Sequence, residues 1–346
     1  MFMLEEKYSG KDLAYLDQNI LDGFLDCIET DPNFIKGFLD HVQVVYSDVS
    51  FQEIYRAGLK NKKYSAAFLD LLNKLNAIYI KPIMDENFNF TGQMRLISGS
   101  ATELYEEYIS ESLKYDEFLD PLQKNIFAMY GGIKDYESMA DLQIEAQYKL
   151  LEFLEQQINI LKNEKIKHSL FDVFIKQKEN ELDGLRMQMQ MHEFEETVRK
   201  NADFLKQANS GTDAHLAYRK ELKLNIDEIN QLQFPNVLIK IWNILKENNP
   251  SLDELELEDF LRIRNVEYKF EKIHAIYSNL NLSGFRPEKK VKNEKKFVSA
   301  QADISHVAYA SYCNYFITND ERLVDKSNVI YEYLKINTEI LSIPQF

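Results

Sequence analysis

The feature that most constrains the fold of this chain is the alternation of short apolar strands and helices at both of its ends. Near the N-terminus, the segment 13–17 is apolar and ends in Asp17, and the next run of this kind is 41–46. Near the C-terminus, the segment 314–318 has the same character and is followed two residues later by Asp320. Helical patterns fill the intervals between these runs. Strands that alternate with helices predict a parallel sheet covered by helices, so we expect an α/β domain.

The middle of the chain has a different character. From about residue 100 to residue 230, apolar residues keep helical spacing with few breakers, which predicts long amphipathic helices. We therefore predict an α/β domain built from both chain ends and interrupted by a mostly α-helical insertion. The predicted α/β parts are residues 1–95 and 231–346, and the predicted insertion is 96–230. The low number of glycines and prolines, 11 and 7 in 346 residues, argues against a loop-rich all-β fold.

Charge and targeting signals limit the function classes. The net charge of −15 argues against binding of nucleic acid through bulk electrostatics, although a local basic strip is compatible with it. The two cysteines, Cys27 and Cys313, give no disulfide framework, so a reducing cytoplasm is the default location. The N-terminus lacks a signal-peptide pattern and no apolar run is long enough to cross a bilayer, so we expect a cytoplasmic protein without membrane contact.

Four acidic residues form the candidate site: Asp17, Glu53, Asp303 and Asp320. Two of them, Asp17 and Asp320, lie at the carboxyl ends of predicted strands, where α/β sheets place ligands. Divalent cations such as Mg²⁺ and Mn²⁺ take oxygen ligands, so three or four carboxylates suffice to hold one. Two carboxylates ~4 Å apart repel by ~4 kcal/mol at an effective dielectric near 20. If the four converge, they should bind a cation or show raised pKa values.

Each of these residues also has a purely structural explanation. Asp17 and Asp320 each precede a predicted helix and suit an N-terminal cap. Asp303 is predicted to open a helix, and Glu53 is predicted in a first helical turn, where either acid complements the helix dipole. His306 lies one turn beyond Asp303, and the alternative for it is a hydrogen-bonded core histidine. The joint occurrence of these residues in one particular order is what favours a site.

In this order, the segments that contain these residues resemble PIN-domain nucleases, specifically PIN-like proteins with a helical insertion. The matching pieces are Tyr15–Leu21, Tyr46–Arg56, Asp303–Ala310, Phe316–Leu323 and the stretch from Lys326 onward. They cover roughly the first 80 and the last 60 residues. The resemblance implies metal-dependent cleavage of RNA, less often of DNA, by water activated on Mg²⁺ or Mn²⁺.

The resemblance also implies roles for individual residues. Catalytic metal ligands are expected at four positions: Asp17, Glu53, Asp303 and Asp320. Three further residues are expected to support them: Asn19, Thr318 and His306. Asp48 lies close to Glu53 in the sequence, so the identity of the second ligand stays open, as does the number of metal ions. Gln18 and Glu321 depart from the pattern of the family.

A basic strip precedes Asp303 and is the best candidate for contacting substrate phosphates: Arg286, Lys289, Lys290, Lys292, Lys295 and Lys296. A solvated, flexible loop is the alternative for this strip. The predicted function is a metal-dependent endonuclease, most specifically an endoribonuclease, and by analogy a toxin-like or defence effector. The alternative is a non-catalytic scaffold with a degenerate acidic site, whose helical insertion binds a protein partner or a second copy of the chain.

Overall fold

The computed structural model describes residues 2–3, 8, 10–85, 90–112, 116–163, 169–190, 193–288 and 290–343. The chain forms two compact units, which are described separately. The first unit consists of Met1–Ser110, Tyr218–Lys289 and Val298–Phe346. The second unit consists of Glu111–Ala217 and Lys290–Phe297.

The first unit is built on a seven-stranded sheet. Its strands are β1 (Phe2–Met3), β2 (Asp12–Leu16), β3 (Val42–Tyr46), β4 (Ile78–Met84), β5 (Phe90–Ile97), β6 (Tyr315–Ile317) and β7 (Glu339–Leu341). The order across the sheet is β1-β5-β4-β3-β2-β6-β7, and every neighbouring pair is parallel except β4 and β5. The prediction of an α/β fold with a mostly parallel sheet flanked by helices is thus confirmed.

Helices make up most of the rest of the described chain. They are α1 (Gln18–Thr30), α2 (Pro32–His41), α3 (Asp48–Lys60), α4 (Lys62–Lys74), α5 (Ala101–Ser112), α6 (Asp116–Met129), α7 (Tyr136–Asn163), α8 (Ser169–Gln190), α9 (Glu193–Ala208), α10 (Ala214–Glu221), α11 (Ile226–Asn230), α12 (Val237–Asn248), α13 (Leu257–Phe260), α14 (Lys269–Ser283), α15 (Glu294–Ala310) and α16 (Glu321–Leu334). Across the described residues, none of these helices has the length and apolar character needed to cross a membrane.

The central strands are buried on both faces, which is why they read as continuous apolar runs in the sequence. Side chains alternate between the two faces of a strand. In β2, Leu13 and Tyr15 therefore pack into one apolar core, and Ala14 and Leu16 pack into another. All four are at most 2% exposed. Strand β2 is thereby held rigidly between two helical layers.

The chain leaves β2 toward β3 and β4 on one side, and returns from β5 to β6 and β7 on the other side. The carboxyl ends of β2 and its neighbours therefore lie at the point where the strand order reverses, which is where open α/β sheets bind ligands. The backbone N–H of Asp17 donates to the carbonyl of Ile317 at 3.0 Å, so the ends of β2 and β6 are directly joined.

Two local predictions that bear on the site are wrong. Asp303 does not open a helix, because α15 already begins at Glu294 and Asp303 lies in its interior. Glu53 is not in a first helical turn, because α3 begins at Asp48 with Ser47 as its N-cap in a capping box. Neither acid therefore serves as the first-turn residue that would complement a helix dipole. The antiparallel strand β5 was not predicted. It contains residue 95, at which the N-terminal α/β part was predicted to end.

The second unit is helical in its described part. Helices α8 and α9 both run antiparallel to α7, as shown by four cross-helix contacts: Lys162–Glu179, Arg186–Glu155, Tyr148–Glu195 and Arg199–Asp141. A small apolar core forms where α6, α7 and α9 meet, and it includes Ala128, Met139, Ile144, Val198 and Leu205.

Candidate metal centre

Asp17 is the anchor of the site, since it directly follows the central strand β2 and is only 6% exposed. Its Oδ1 accepts a hydrogen bond from the backbone N–H of Gln18 at 2.7 Å. Its Oδ2 accepts hydrogen bonds from Asn19 Nδ2 at 2.6 Å and from Thr318 Oγ1 at 2.7 Å. Asp17 therefore caps α1, and the two residues expected to support it do contact it. These donors fix the carboxylate in one orientation.

Two helices bring a glutamate and a histidine to the same edge of the sheet. Glu53 comes from α3, and His306 comes from α15 and is 1% exposed. His306 Nε2 lies 3.0 Å from Glu53 Oε2. On the other side of the ring, the Tyr15 hydroxyl lies 2.8 Å from His306 Nδ1 and 2.7 Å from Ser47 Oγ. The imidazole is thus held from both of its nitrogens.

Asp17, Glu53 and His306 each offer one ligand atom, and these three atoms lie within 4.8 Å of one another. This buried cluster could hold a metal ion. Its donor set combines two carboxylates with one imidazole. Carboxylates suit Mg²⁺ and Mn²⁺, whereas imidazole suits first-row transition metals, so Mn²⁺ fits the combined set better than Mg²⁺ does.

The acids in this site do not titrate as exposed acids do. Burial is the main cause that raises the pKa of Asp17, against the opposing effects of His306 and Thr318. Burial also raises the pKa of Asp303 well above its ordinary value, and the charges of Asp17 and Glu288 raise it further. Burial is thus the main cause of the raised pKa values, and neighbouring carboxylates add to it.

The Glu53–His306 pair behaves differently. Burial alone would lower the pKa of His306, but Tyr15, Glu53 and Asp17 outweigh burial and raise that pKa well above its ordinary value. Burial alone would raise the pKa of Glu53, but His306 and Arg56 outweigh it, so that the pKa of Glu53 is lowered. Without a metal, the two side chains therefore form an ion pair.

Asp303 lies one turn before His306 on α15, on the same face of the helix. Its side chain is partly buried, and within the described residues no donor reaches its carboxylate at hydrogen-bonding distance. It is not one of the three clustered residues, but it interacts electrostatically with Asp17 and Glu53. A carboxylate with close negative neighbours and no hydrogen-bond donor is suited to a cation.

Asp320 has a defined structural role. Its Oδ1 accepts hydrogen bonds from the backbone N–H groups of Arg322 at 2.9 Å and Leu323 at 3.2 Å, so it is the N-cap of α16. Its own N–H donates to Thr318 Oγ1 at 3.2 Å, and the same hydroxyl donates to Asp17 Oδ2. Asp320 is therefore linked to Asp17 through Thr318.

The buried hydroxyl of Tyr277 is influenced by several of the acids. Its pKa is raised well above the ordinary value, first by burial and then by four carboxylates: Asp303, Glu288, Asp320 and Asp17. Within the described residues, the hydroxyl oxygen has no hydrogen-bond partner. Three of the four predicted acids thus influence one buried group, whereas the ligand atoms that lie within 4.8 Å of one another are those of Asp17, Glu53 and His306.

The sequence left open whether Asp48 or Glu53 is the second ligand, and in the structure the two carboxylates have different partners. The carboxylate of Asp48 accepts hydrogen bonds from the hydroxyls of Tyr79 and Tyr309. Glu53 is the residue that lies with Asp17 and His306.

The predicted basic strip is divided between the two units. Arg286 belongs to the first unit, where its guanidinium pairs with Asp325 at 2.6 Å and donates to the carbonyl of Asn230 at 3.1 Å. Lys289 lies outside the described residues. The other four belong to the second unit and are exposed: Lys290, Lys292, Lys295 and Lys296. Lys292 pairs there with Asp213 at 2.9 Å.

Sequence reasoning missed several residues that hold the site together. Tyr15 looked like an ordinary core residue of β2, and nothing in the sequence links it to His306. Ser47 was recognisable as part of a capping sequence, but its contact with Tyr15 was not. The ion pair between Lys326 and Glu288, at 2.6 Å, carries no sequence signal, because it forms only when the chain folds.

Comparison of the chain with protein-family models, with curated proteins and with solved structures gave no match. The geometry of the site is therefore what supports a function.

Proposed function

We propose that the protein is a metal-dependent nuclease of the PIN-like type that cleaves RNA. The observation that carries this proposal is the convergence of Asp17, Glu53 and His306 within 4.8 Å at the carboxyl end of the central strand. The partly buried Asp303 beside them, which has no hydrogen-bond donor among the described residues, supports it further.

A divalent cation bound here supplies an activated water and neutralises the charge that builds up on a phosphodiester during hydrolysis. The residues of the chain have defined parts in this proposal. Asn19 and Thr318 fix the orientation of the Asp17 carboxylate, which would be one ligand of the cation. Tyr15 orients the ring of His306, leaving Nε2 on the side of Glu53. Asp303 supplies a further carboxylate at the edge of the cluster.

The metal in this proposal is Mn²⁺ or Mg²⁺, with Mn²⁺ preferred because His306 contributes a nitrogen ligand. The exposed lysines of the predicted basic strip are proposed to contact the RNA backbone, where a few phosphate contacts give modest, salt-dependent binding. The acidic net charge of −15 favours such local contacts over a broad basic surface.

The test is cleavage of single-stranded RNA and DNA by wild type and the variant Asp17→Asn in Mn²⁺, in Mg²⁺ and in EDTA. The substitution removes a charged ligand but keeps the shape of the side chain, so activity should fall by ~100-fold or more, beyond the effect of losing a supporting contact. Asp22→Asn is the matched control, since Asp22 is exposed on the same helix, α1.

Activity in Asp17→Asn equal to that of wild type would overturn the site assignment. Absence of cleavage together with absence of metal binding in wild type would instead favour the scaffold alternative. Preferential cleavage of DNA would correct the substrate and leave the site assignment intact.

A further inference from the structure

A partly exposed arginine contacts one of the three clustered residues directly. Arg56 lies three residues after Glu53 on α3. Its Nη2 is 3.5 Å from Glu53 Oε1, while Glu53 Oε2 lies 3.0 Å from His306 Nε2. The two oxygens of the Glu53 carboxylate therefore have two different nitrogen partners. Through this contact, the guanidinium of Arg56 lies next to the candidate metal centre.

The contact between Arg56 and Glu53 leaves most of the guanidinium unused. A separation of 3.5 Å is long for a charge-assisted hydrogen bond, which measures about 2.7–2.9 Å. Across the described residues, the guanidinium makes no hydrogen bond and no other ion pair. Its side chain is 31% exposed, and a partly exposed ion pair of this kind contributes little to stability. The N–H donors of Arg56 are therefore available to a ligand.

The charge of the proposed substrate calls for a cation at this place. A phosphodiester is an anion, and at this centre it meets the carboxylates of Asp17 and Glu53. Of the lysines and arginines in the described chain, Arg56 is the one that forms an ion pair with a clustered residue. In the predicted basic strip, Arg286 is paired with Asp325.

We propose that Arg56 binds the phosphate whose ester bond is cleaved, with two N–H groups directed at its non-bridging oxygens. This inference rests on the proposed nuclease function. The planar fork of an arginine matches two oxygens of a phosphate. Negative charge builds up on these oxygens during hydrolysis, and a donor fixed beside them lowers the barrier. Arg56 is then a catalytic residue that contacts the substrate, whereas Asp17, Glu53 and His306 hold the metal ion.

The experiment is cleavage of a single-stranded RNA by the full chain in saturating Mn²⁺, measured over a range of RNA concentrations. Arg56→Met should lower the rate at saturating RNA by ~100-fold or more, as the loss of one donor to the transition state does. Arg56→Lys should recover only part of this loss, because lysine supplies the charge without the fork. Arg264→Met is the matched control, since Arg264 is an exposed arginine that pairs with Asp259, and it should cleave at the wild-type rate.

A second measurement separates this role from a purely structural one. If Arg56 only held Glu53 in place for the metal ion, its loss should weaken Mn²⁺ binding by about 10–100-fold. If Arg56 binds the phosphate, Arg56→Met should bind Mn²⁺ as tightly as wild type or more tightly, because a positive charge beside Glu53 has been removed. Calorimetric titration with Mn²⁺ in the absence of RNA measures the affinity independently of cleavage.

Loss of cleavage with retained Mn²⁺ affinity in Arg56→Met would support the inference. A wild-type rate in Arg56→Met, or Mn²⁺ binding weakened enough to explain the loss, would overturn it while leaving the proposed function intact. If Arg56→Met fails to fold, Arg56→Lys still decides, since a wild-type rate in that variant would exclude the two-oxygen contact. A wild type that neither binds Mn²⁺ nor cleaves RNA is a different result, because it overturns the proposed function and this inference with it.

Discussion

At the scale of single residues, some acids of the site oppose folding in their charged form. Asp303 is the clearest case, because burial and the neighbouring Asp17 and Glu288 raise its pKa well above the ordinary value. A group whose pKa is raised by folding binds protons more tightly in the folded state. Its ionisation therefore costs stability as the pH rises through the raised pKa.

Asp303→Asn should accordingly stabilise the metal-free protein. In EDTA near neutral pH, its melting temperature should lie a few degrees above that of wild type, since the substitution removes an unfavourable charge and keeps the shape of the side chain. The gain should shrink as the pH falls toward the ordinary pKa of an aspartate, because Asp303 is then protonated in folded and unfolded wild type alike. Thermal melts of both proteins across a pH series measure this. A lower melting temperature for the variant at neutral pH would show that the charge of Asp303 is already balanced within the protein.

Tyr15 allows a test of how much the hydrogen-bond partner of His306 contributes to metal affinity. Its hydroxyl contacts both His306 Nδ1 and Ser47 Oγ, and it is 0% exposed. Tyr15→Phe should weaken Mn²⁺ binding by about 10–100-fold, the range found when a partner of a ligating histidine is lost. Calorimetric titration with Mn²⁺ measures the change. Tyr315→Phe is the matched control, because that hydroxyl contacts Asp12 at 3.3 Å, away from the clustered residues. Equal affinity in Tyr15→Phe and wild type would mean that His306 is oriented without Tyr15.

At the scale of secondary-structure elements, helices α3, α15 and α16 deliver side chains to the end of a rigid strand. Two of them, α3 and α16, have N-termini defined by side-chain caps. Ser47 forms a capping box at the start of α3, and Asp320 caps α16 with hydrogen bonds to two backbone N–H groups. A cap fixes the first turn of a helix and therefore the positions of the side chains that follow.

Asp320 allows its structural and catalytic roles to be separated. Asparagine caps a helix about as well as aspartate, whereas alanine does not. Asp320→Asn should therefore leave the free energy of unfolding nearly unchanged, and Asp320→Ala should lower it by ~1 kcal/mol. Chemical denaturation measures both. If Asp320 also serves the metal centre, Asp320→Asn should lose RNA cleavage while remaining as stable as wild type. Wild-type cleavage by Asp320→Asn would restrict this residue to capping.

At the scale of the whole molecule, the sheet could be predicted from the sequence but much of its surroundings could not. Strands β2, β3 and β6 are short apolar runs followed by polar residues, and buried parallel strands have this pattern. Strand β5 was missed because it includes Gly92 and several partly exposed residues, which leave no clear alternation. The start of α15 was missed because its first three residues, Glu294, Lys295 and Lys296, are charged and exposed and therefore resemble a loop.

The candidate site shows the same division. The positions of Asp17 and Asp320 could be predicted because each follows a strand of the sheet. The pairing of Glu53 with His306 could not be predicted, because it depends on how α3 and α15 pack against β2 across a separation of 253 residues. The environment of Lys326 was hidden for the same reason, since burial is a property of the folded chain and leaves no mark in a single sequence.

The measurement that tests the metal centre most directly is a thermal melt of wild type, Asp17→Asn and Asp22→Asn, each in EDTA and in saturating Mn²⁺. A ligand that binds only the folded state at 100 times its Kd adds about 2.7 kcal/mol to the stability. We expect Mn²⁺ to raise the melting temperature of wild type and Asp22→Asn by several degrees and to leave that of Asp17→Asn unchanged. A wild type that does not respond to Mn²⁺, or an equal rise in Asp17→Asn, would contradict a metal centre on Asp17.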